Sequence, residues 1–452
     1  MQDPYSHKAV RRIALPMIVS SITAPLLGMV DTAVMGHLDD AVYLASVAAG
    51  ATIFSVLFMG LNFLRMGTTG ITAQAFGADD SDTLRTALGQ SVITALVLAT
   101  FIIALQQPLL DTALWILSPS TDVGRFTQTY FELRVWSSPA SLVNFVLIGW
   151  LIGLQNARGP LVIMLVINLT NAALDLVFVL LLDMTVDGVA LATLIAELCG
   201  IVVATLFVRS ELASRPGHWN RIEFTVLAKY KRLFDVNVNL FLRTMALMFV
   251  FAFITAQGAR MGDVILATNA LLMNFQLLQA YALDGVAYAA EALVGKAVGG
   301  RDHNGVRLAV RRTLQWSLIF AALFCIAYLF AGQLIISMLT SIDTLRITAR
   351  EFLPWLIISP LISVWSFLYD GVYVGATRSK EMMVIMVGST ALVFLPIWFG
   401  ASSLGNHGLW LAFTAFMLAR GIGMHVWFRR MINGPEFALD KPITELPGHT
   451  DA

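Results

Sequence analysis

The stretch AQAFGADDSDTLRTAL (73–88) returns in the second half of the chain, at a shift of 222, as GKAVGGRDHNGVRLAV (295–310). Two more pairs repeat: LIGLQNARGP (151–160) with GVYVGATRSK (371–380), and DGVALATLIAE (187–197) with HGLWLAFTAFM (407–417). Both of these lie at a shift of 220. One such match means little, but three at nearly the same spacing mark a chain built twice from one unit.

Working outward from these stretches, each unit is a series of long apolar runs. The 452 residues are 58% hydrophobic and only 13% charged, against about 25% charged in soluble domains. The mean hydropathy is +0.76. A chain of this composition has lipid as its solvent, and a spanning helix needs ~20 apolar residues. Such runs lie at roughly 13–36, 44–72, 87–106, 130–154, 160–182 and 186–208, then at 236–259, 264–294, 308–330, 352–376, 381–400 and 406–428. The expected fold is an all-α polytopic membrane protein of twelve transmembrane helices. The expected domains are an N-lobe (1–208), a linker (209–235), a C-lobe (236–430) and a tail (431–452). Six helices per half is an even number, so the second half enters the bilayer from the same side as the first. The repeats are therefore parallel, an arrangement that leaves a cavity between the lobes.

Lys and Arg set the orientation. Of the 29, 21 fall in stretches on the side of the N-terminus, five (Arg125, Arg134, Arg260, Arg346, Arg350) on the other side, and three (Arg65, Arg243, Arg420) inside helices. Both termini and the linker, with six Lys and Arg, are expected in the cytoplasm, which places the chain in a cell's inner (plasma) membrane. Lys8, Arg11 and Arg12 precede the first run, which lacks a small-residue cleavage site and reads as a retained helix. The net charge is zero, so nucleic acid is not an expected partner. Cys199 and Cys325 sit in apolar runs and form no disulfide framework.

Charges within a bilayer are expensive and point to function by default. Asp31 stands in the first helix, six residues after Pro25, which removes a backbone hydrogen bond and provides a hinge. A carboxylate held away from water is costly to ionise, and a proton relieves that cost. The fifth helix carries Asn168, Asn171 and Asp175 on one face, and the sixth carries Thr193 and Glu197. If these faces meet the first helix, they form a polar pocket with two aspartates. The plain structural alternative is a hydrogen-bond cluster that only joins helices. A shift of 220 places Phe251, Ala391, Leu395 and Phe413 opposite Asp31, Asn171, Asp175 and Thr193. Ion coupling is thus expected in the N-lobe alone. Asp284, Glu291 and Asp370 are C-lobe cavity candidates, with pairing to Arg243 or Arg420 as the competing reading.

No G-x-x-x-x-G-K-[ST], H-E-x-x-H or G-x-S-x-G is present, and the seven His are scattered. No metal site, cofactor or enzyme activity is expected.

IALPMI (13–18), PLLGMVDTAVMGHLD (25–39), FLRMGTTGITAQAFGA (63–78), YALDGVAYAAEALVGKA (281–297) and GATR (375–378) resemble the multidrug and toxic compound extrusion family, and above all its DinF-like branch. The resemblance runs from about residue 11 to 430. It implies a V of two six-helix lobes and cation-coupled antiport that exports drugs and other organic compounds. By that resemblance, Asp31 matches the essential first-helix aspartate, and Asn171, Asp175 and Thr193 match the N-lobe cluster, joined by Asn144. Some relatives use a C-lobe carboxylate for sodium. Here the seventh helix has no acid and Asp370 does not fall on the tenth-helix position, which favours protons over sodium. The expected function is proton-coupled antiport of small amphipathic organic compounds by a monomer, with sodium coupling as the alternative. A major facilitator transporter would carry G-x-x-x-D-R-x-G-R-R after its second helix, where this chain has AFGADDSDTLRTAL (75–88). A lipid-linked sugar flippase would carry a more basic cavity.

Overall fold

The computed structural model describes residues 3–36 and 40–433, and all side chains within them except those of 24–27 and 29–33. Among the described residues, helix α1 (His7–Met35) precedes eleven helices long and apolar enough to cross a bilayer. In the N-lobe these are α2 (Ala41–Gly77), α3 (Ser81–Ala104), α4 (Thr121–Gly153), α5 (Arg158–Leu181) and α6 (Val186–Ala213). The C-lobe has α7 (Leu227–Arg260), α8 (Asp263–Gly299), α9 (His303–Leu339), α10 (Asp343–Gly375), α11 (Ser379–Leu404) and α12 (Asn406–Asn433). The helices outrun the apolar stretches. α4 begins at Thr121, well before its expected start, and the linker narrows because α6 continues to Ala213. Within that linker lies a short helix, Arg221–Thr225.

The caps repeat as well. Asp80 and Asp302 are equivalent positions of the first repeated stretch. They cap α3 and α9 by accepting from Thr83 N (2.9 Å) and Gly305 N (2.7 Å). α2, α4, α8 and α10 end alike, with left-handed Asp79, Gln155, Arg301 and Thr377 at φ of 53°, 62°, 55° and 53°. The residue after each bonds back to the last turn: Asp80 N to Ala75 O, Asn156 N to Leu151 O, Asp302 N to Ala297 O and Arg378 N to Tyr373 O. This is the Schellman closure. It corrects the register of the second repeat from 220 to 222, since Gln155 corresponds to Thr377 and not to Gly375. Asn171 and Asp175 then face Val393 and Ile397, so the C-lobe counterparts remain apolar.

The lobes join at one end. Gly77 of α2 packs on the Lys296 backbone of α8, and Gly299 of α8 packs on the Gln74 backbone of α2. Gly77 is the repeat equivalent of Gly299, and Gln74 that of Lys296, so the two contacts are two-fold related. A Cβ at either glycine would collide with the facing carbonyl. Beside them Gly295 meets Ala73, Gln74 Nε2 donates to Gly375 O (3.1 Å), and Gly285 lies against Ile18 of α1. One hydrophobic core runs through the N-lobe and this end of the C-lobe. A second core, around Phe275, Phe352, Trp398 and Phe416, belongs to the far end of the C-lobe alone. The lobes therefore share packing at the basic end, near Arg85, Lys296 and Arg301, and have separate cores at the other, which gives the V.

Candidate functional site

Three helices bring the N-lobe polar residues together. α5 presents Asn168, Asn171 and Asp175 at i, i+3 and i+7, α6 presents Thr193 and Glu197, and α4 presents Asn144. All but Asp175 line one cavity of about 150 Å³, with Ser141 and Arg134. Asn144 Nδ2 donates to Glu197 Oε2 (2.8 Å) and to the Glu197 carbonyl (3.0 Å). Thr193 Oγ1 bonds the Val189 carbonyl at 3.0 Å. With its amide nitrogen turned toward the acid, Asn171 donates to Asp175 Oδ2 at 3.2 Å and accepts from Thr193 N at 3.2 Å. Asp175 is fully buried. Immediately after it α5 widens into a π-helical segment, Leu176–Leu181, a distortion frequent at functional sites.

Asn168 reaches α1, donating to Thr23 Oγ1 at 2.8 Å. The cluster is thereby tied to α1 close to the expected hinge. Asp31 and Pro25 themselves lie outside the described side chains.

Cavity size separates two tasks. Drug-sized ligands occupy ~300–1,000 Å³, whereas a water molecule takes ~30 Å³. The N-lobe cavity admits waters and ions and is too small for a bulky organic molecule.

The C-lobe acids are not a free acidic wall. Asp370 of α10 accepts from Arg420 Nη2 of α12 (2.9 Å) and from Arg243 Nη2 of α7. Glu291 of α8 pairs across the lobes with Arg65 of α2, at 3.1 Å and 3.5 Å, with both side chains buried. The Arg65 guanidinium also lies 4.5 Å from the centre of the Tyr288 ring. Asp284 is half-buried and within electrostatic reach of Arg65 and Arg243, and among the described residues no ion pair holds it. Three arginines thus pair with two of the three acids. Of the two readings left open for these acids, pairing holds for Asp370 with Arg243 and Arg420, and Glu291 pairs with Arg65, a partner the sequence had not suggested.

Arg134 escaped the sequence reading. The count of Lys and Arg puts it on the side opposite the N-terminus, and α4 starts early enough to carry it into the cavity wall. There it donates to Tyr130 Oη, with its guanidinium 4.8 Å from the Phe54 ring centre. The stretch before it, TDVGRFTQT (121–129), is polar, so hydropathy gave no sign that the helix begins there.

Comparison with known proteins places this geometry. The MatE family pattern matches residues 16–177 and again 240–399, one copy per lobe. The chain is 44% identical over 438 residues to DNA damage-inducible protein F of Escherichia coli, covering 96% of this chain and 94% of that protein. It is 22% identical to multidrug export protein MepA of Staphylococcus haemolyticus, over 88% and 87% of the two chains. Among solved structures, an outward-facing multidrug resistance MATE family transporter of the MOP superfamily superposes with a TM-score of 0.83. That match has 18% identity and covers 96% of this chain and 97% of the other. The chain belongs to the MatE family and is a multi-pass membrane transporter, not an enzyme.

Proposed function

We propose that the protein exports small amphipathic organic compounds in exchange for protons by alternating access. The observation that carries this reading is the buried N-lobe cluster, in which Asp175, Asn171 and Thr193 form one hydrogen-bonded chain beside α1. An ionised carboxylate with no exposed surface is expensive to hold, and a proton removes that expense at once. The N-lobe cavity suits a coupling ion and the cleft suits the substrate. The two need not compete for one site, since both bias the same two-state equilibrium. Proton uptake on Asp31, supported by Asp175, on the outer side favours substrate release there, and proton release to the cytoplasm resets the cycle. The multidrug names of the relatives support the substrate class. The test is efflux of a cationic dye from proteoliposomes under an imposed pH gradient or an imposed sodium gradient. The pH gradient alone is expected to drive efflux. Efflux driven by sodium alone would replace the proton with sodium at the same carboxylates.

A further inference from the structure

A second cavity lies outside both charged sites. It has a volume of about 470 Å³ and sits on the flank of the N-lobe, between α3, α4 and α6 and beneath the linker. Val92, Leu147 and Val208 contribute to its apolar wall, and Trp219 and Phe224 of the linker roof it. The roof is fixed in place. Gln90 Nε2 donates to the Glu223 carbonyl (2.8 Å), His218 N to Asp82 Oδ1 (2.6 Å), and Arg85 Nη2 to the Arg215 carbonyl (2.6 Å). The Phe224 ring seats on Gly89, where a Cβ would collide with it.

The linker also shows apolar side chains to the outside. Trp219, Ile222 and Leu227 are 50%, 59% and 85% exposed, in a segment that carries Arg215, Arg221 and Lys229. Apolar groups exposed among cations fit the interface of a bilayer with anionic headgroups. Two cations stand close in the sequence to residues that line the chamber. Arg209 follows Val208 of the wall, and Arg221 lies between the two roof residues. Both are exposed, and among the described residues neither enters an ion pair.

We propose that this chamber binds an anionic phospholipid of the surrounding membrane. One acyl chain fills the apolar space, and Arg209 and Arg221 hold the phosphate of the headgroup. A free phosphate finds no counterpart in the apolar chamber, and an organic cation is repelled at its rim. The linker is the covalent connection between the lobes, so a lipid under its roof fastens that connection to the N-lobe.

Native mass spectrometry of the full chain tests this, with phosphatidylglycerol and phosphatidylcholine of matched acyl chains as probes. Wild type is expected to retain one phosphatidylglycerol in preference to phosphatidylcholine by about fivefold per arginine. Arg209→Gln with Arg221→Gln, both at exposed positions, should erase that preference without lowering Tm. Leu147→Trp should reduce retention of both lipids by filling the chamber. Equal retention of the two lipids by wild type would overturn the proposal. So would unchanged phosphatidylglycerol retention in both variants, or displacement of the lipid by a transported organic cation.

Discussion

The Arg65 guanidinium and the Glu291 carboxylate leave water together, and each is tolerable there because of the other. Removing one strands its partner, at about 3–5 kcal/mol. Glu291→Gln should therefore lower thermal stability markedly, whereas Arg65→Met with Glu291→Met should recover most of it. Unfolding curves of the purified variants in one detergent check this, and a silent Glu291→Gln would show that the pair is unimportant. Asp175→Asn keeps the shape of the N-lobe cluster but removes its ionisable group. It should weaken dye export, and Asp31→Asn should abolish it with surface expression retained. Efflux assays beside surface labelling separate the two effects, and full export by Asp31→Asn would end the coupling role. The N-lobe residues were legible because Asn168, Asn171 and Asp175 repeat with helical spacing on one helix. The C-lobe pairs were not, because Arg65 and Glu291 are 226 residues apart and no local pattern links them.

α2 and α8 meet backbone to backbone where Gly77 and Gly299 remove the side chain that would hold them apart. Gly77→Ala and Gly299→Ala should each wedge the basic end open. An overpacking term of about 1–3 kcal/mol moves a two-state balance by roughly 5- to 150-fold. Because the contacts are two-fold related, the two substitutions should act with similar size. Gly400→Ala, where nothing lies within 4 Å, is the control and should leave the balance alone. Spin-label distances between α2 and α8 read the result. Unchanged distances in both variants would mean that this seam does not limit opening. The repeat was visible in the sequence, but its register in the second pair was not. The turn falls on Gln155 and Thr377, neither of them glycine, so no residue marked it. The match of Arg158 with Arg378 drew the alignment out of step, although Gly153 and Gly375 coincide in the true register.

Across the whole molecule, we propose from the charge asymmetry that the basic, closed end of the V faces the cytoplasm. Ser214→Cys, in a background lacking Cys199 and Cys325, should resist an impermeant thiol reagent in intact cells and react in inside-out vesicles. Ready labelling in intact cells would reverse the orientation. By itself the sequence determined the solvent, the twelve helices, the duplication and the N-lobe polar face. These follow from composition, from periods of about 3.6 residues and from self-similarity, all of which are local or repeated along the chain. Only the tertiary structure decided that Asp370 sits between two arginines, that Arg65 bridges the lobes, that Arg134 enters the cavity and that glycines close one end. Each of these depends on which helix faces which in three dimensions, where a few ångströms of backbone approach separate a charged cavity wall from a buried ion pair.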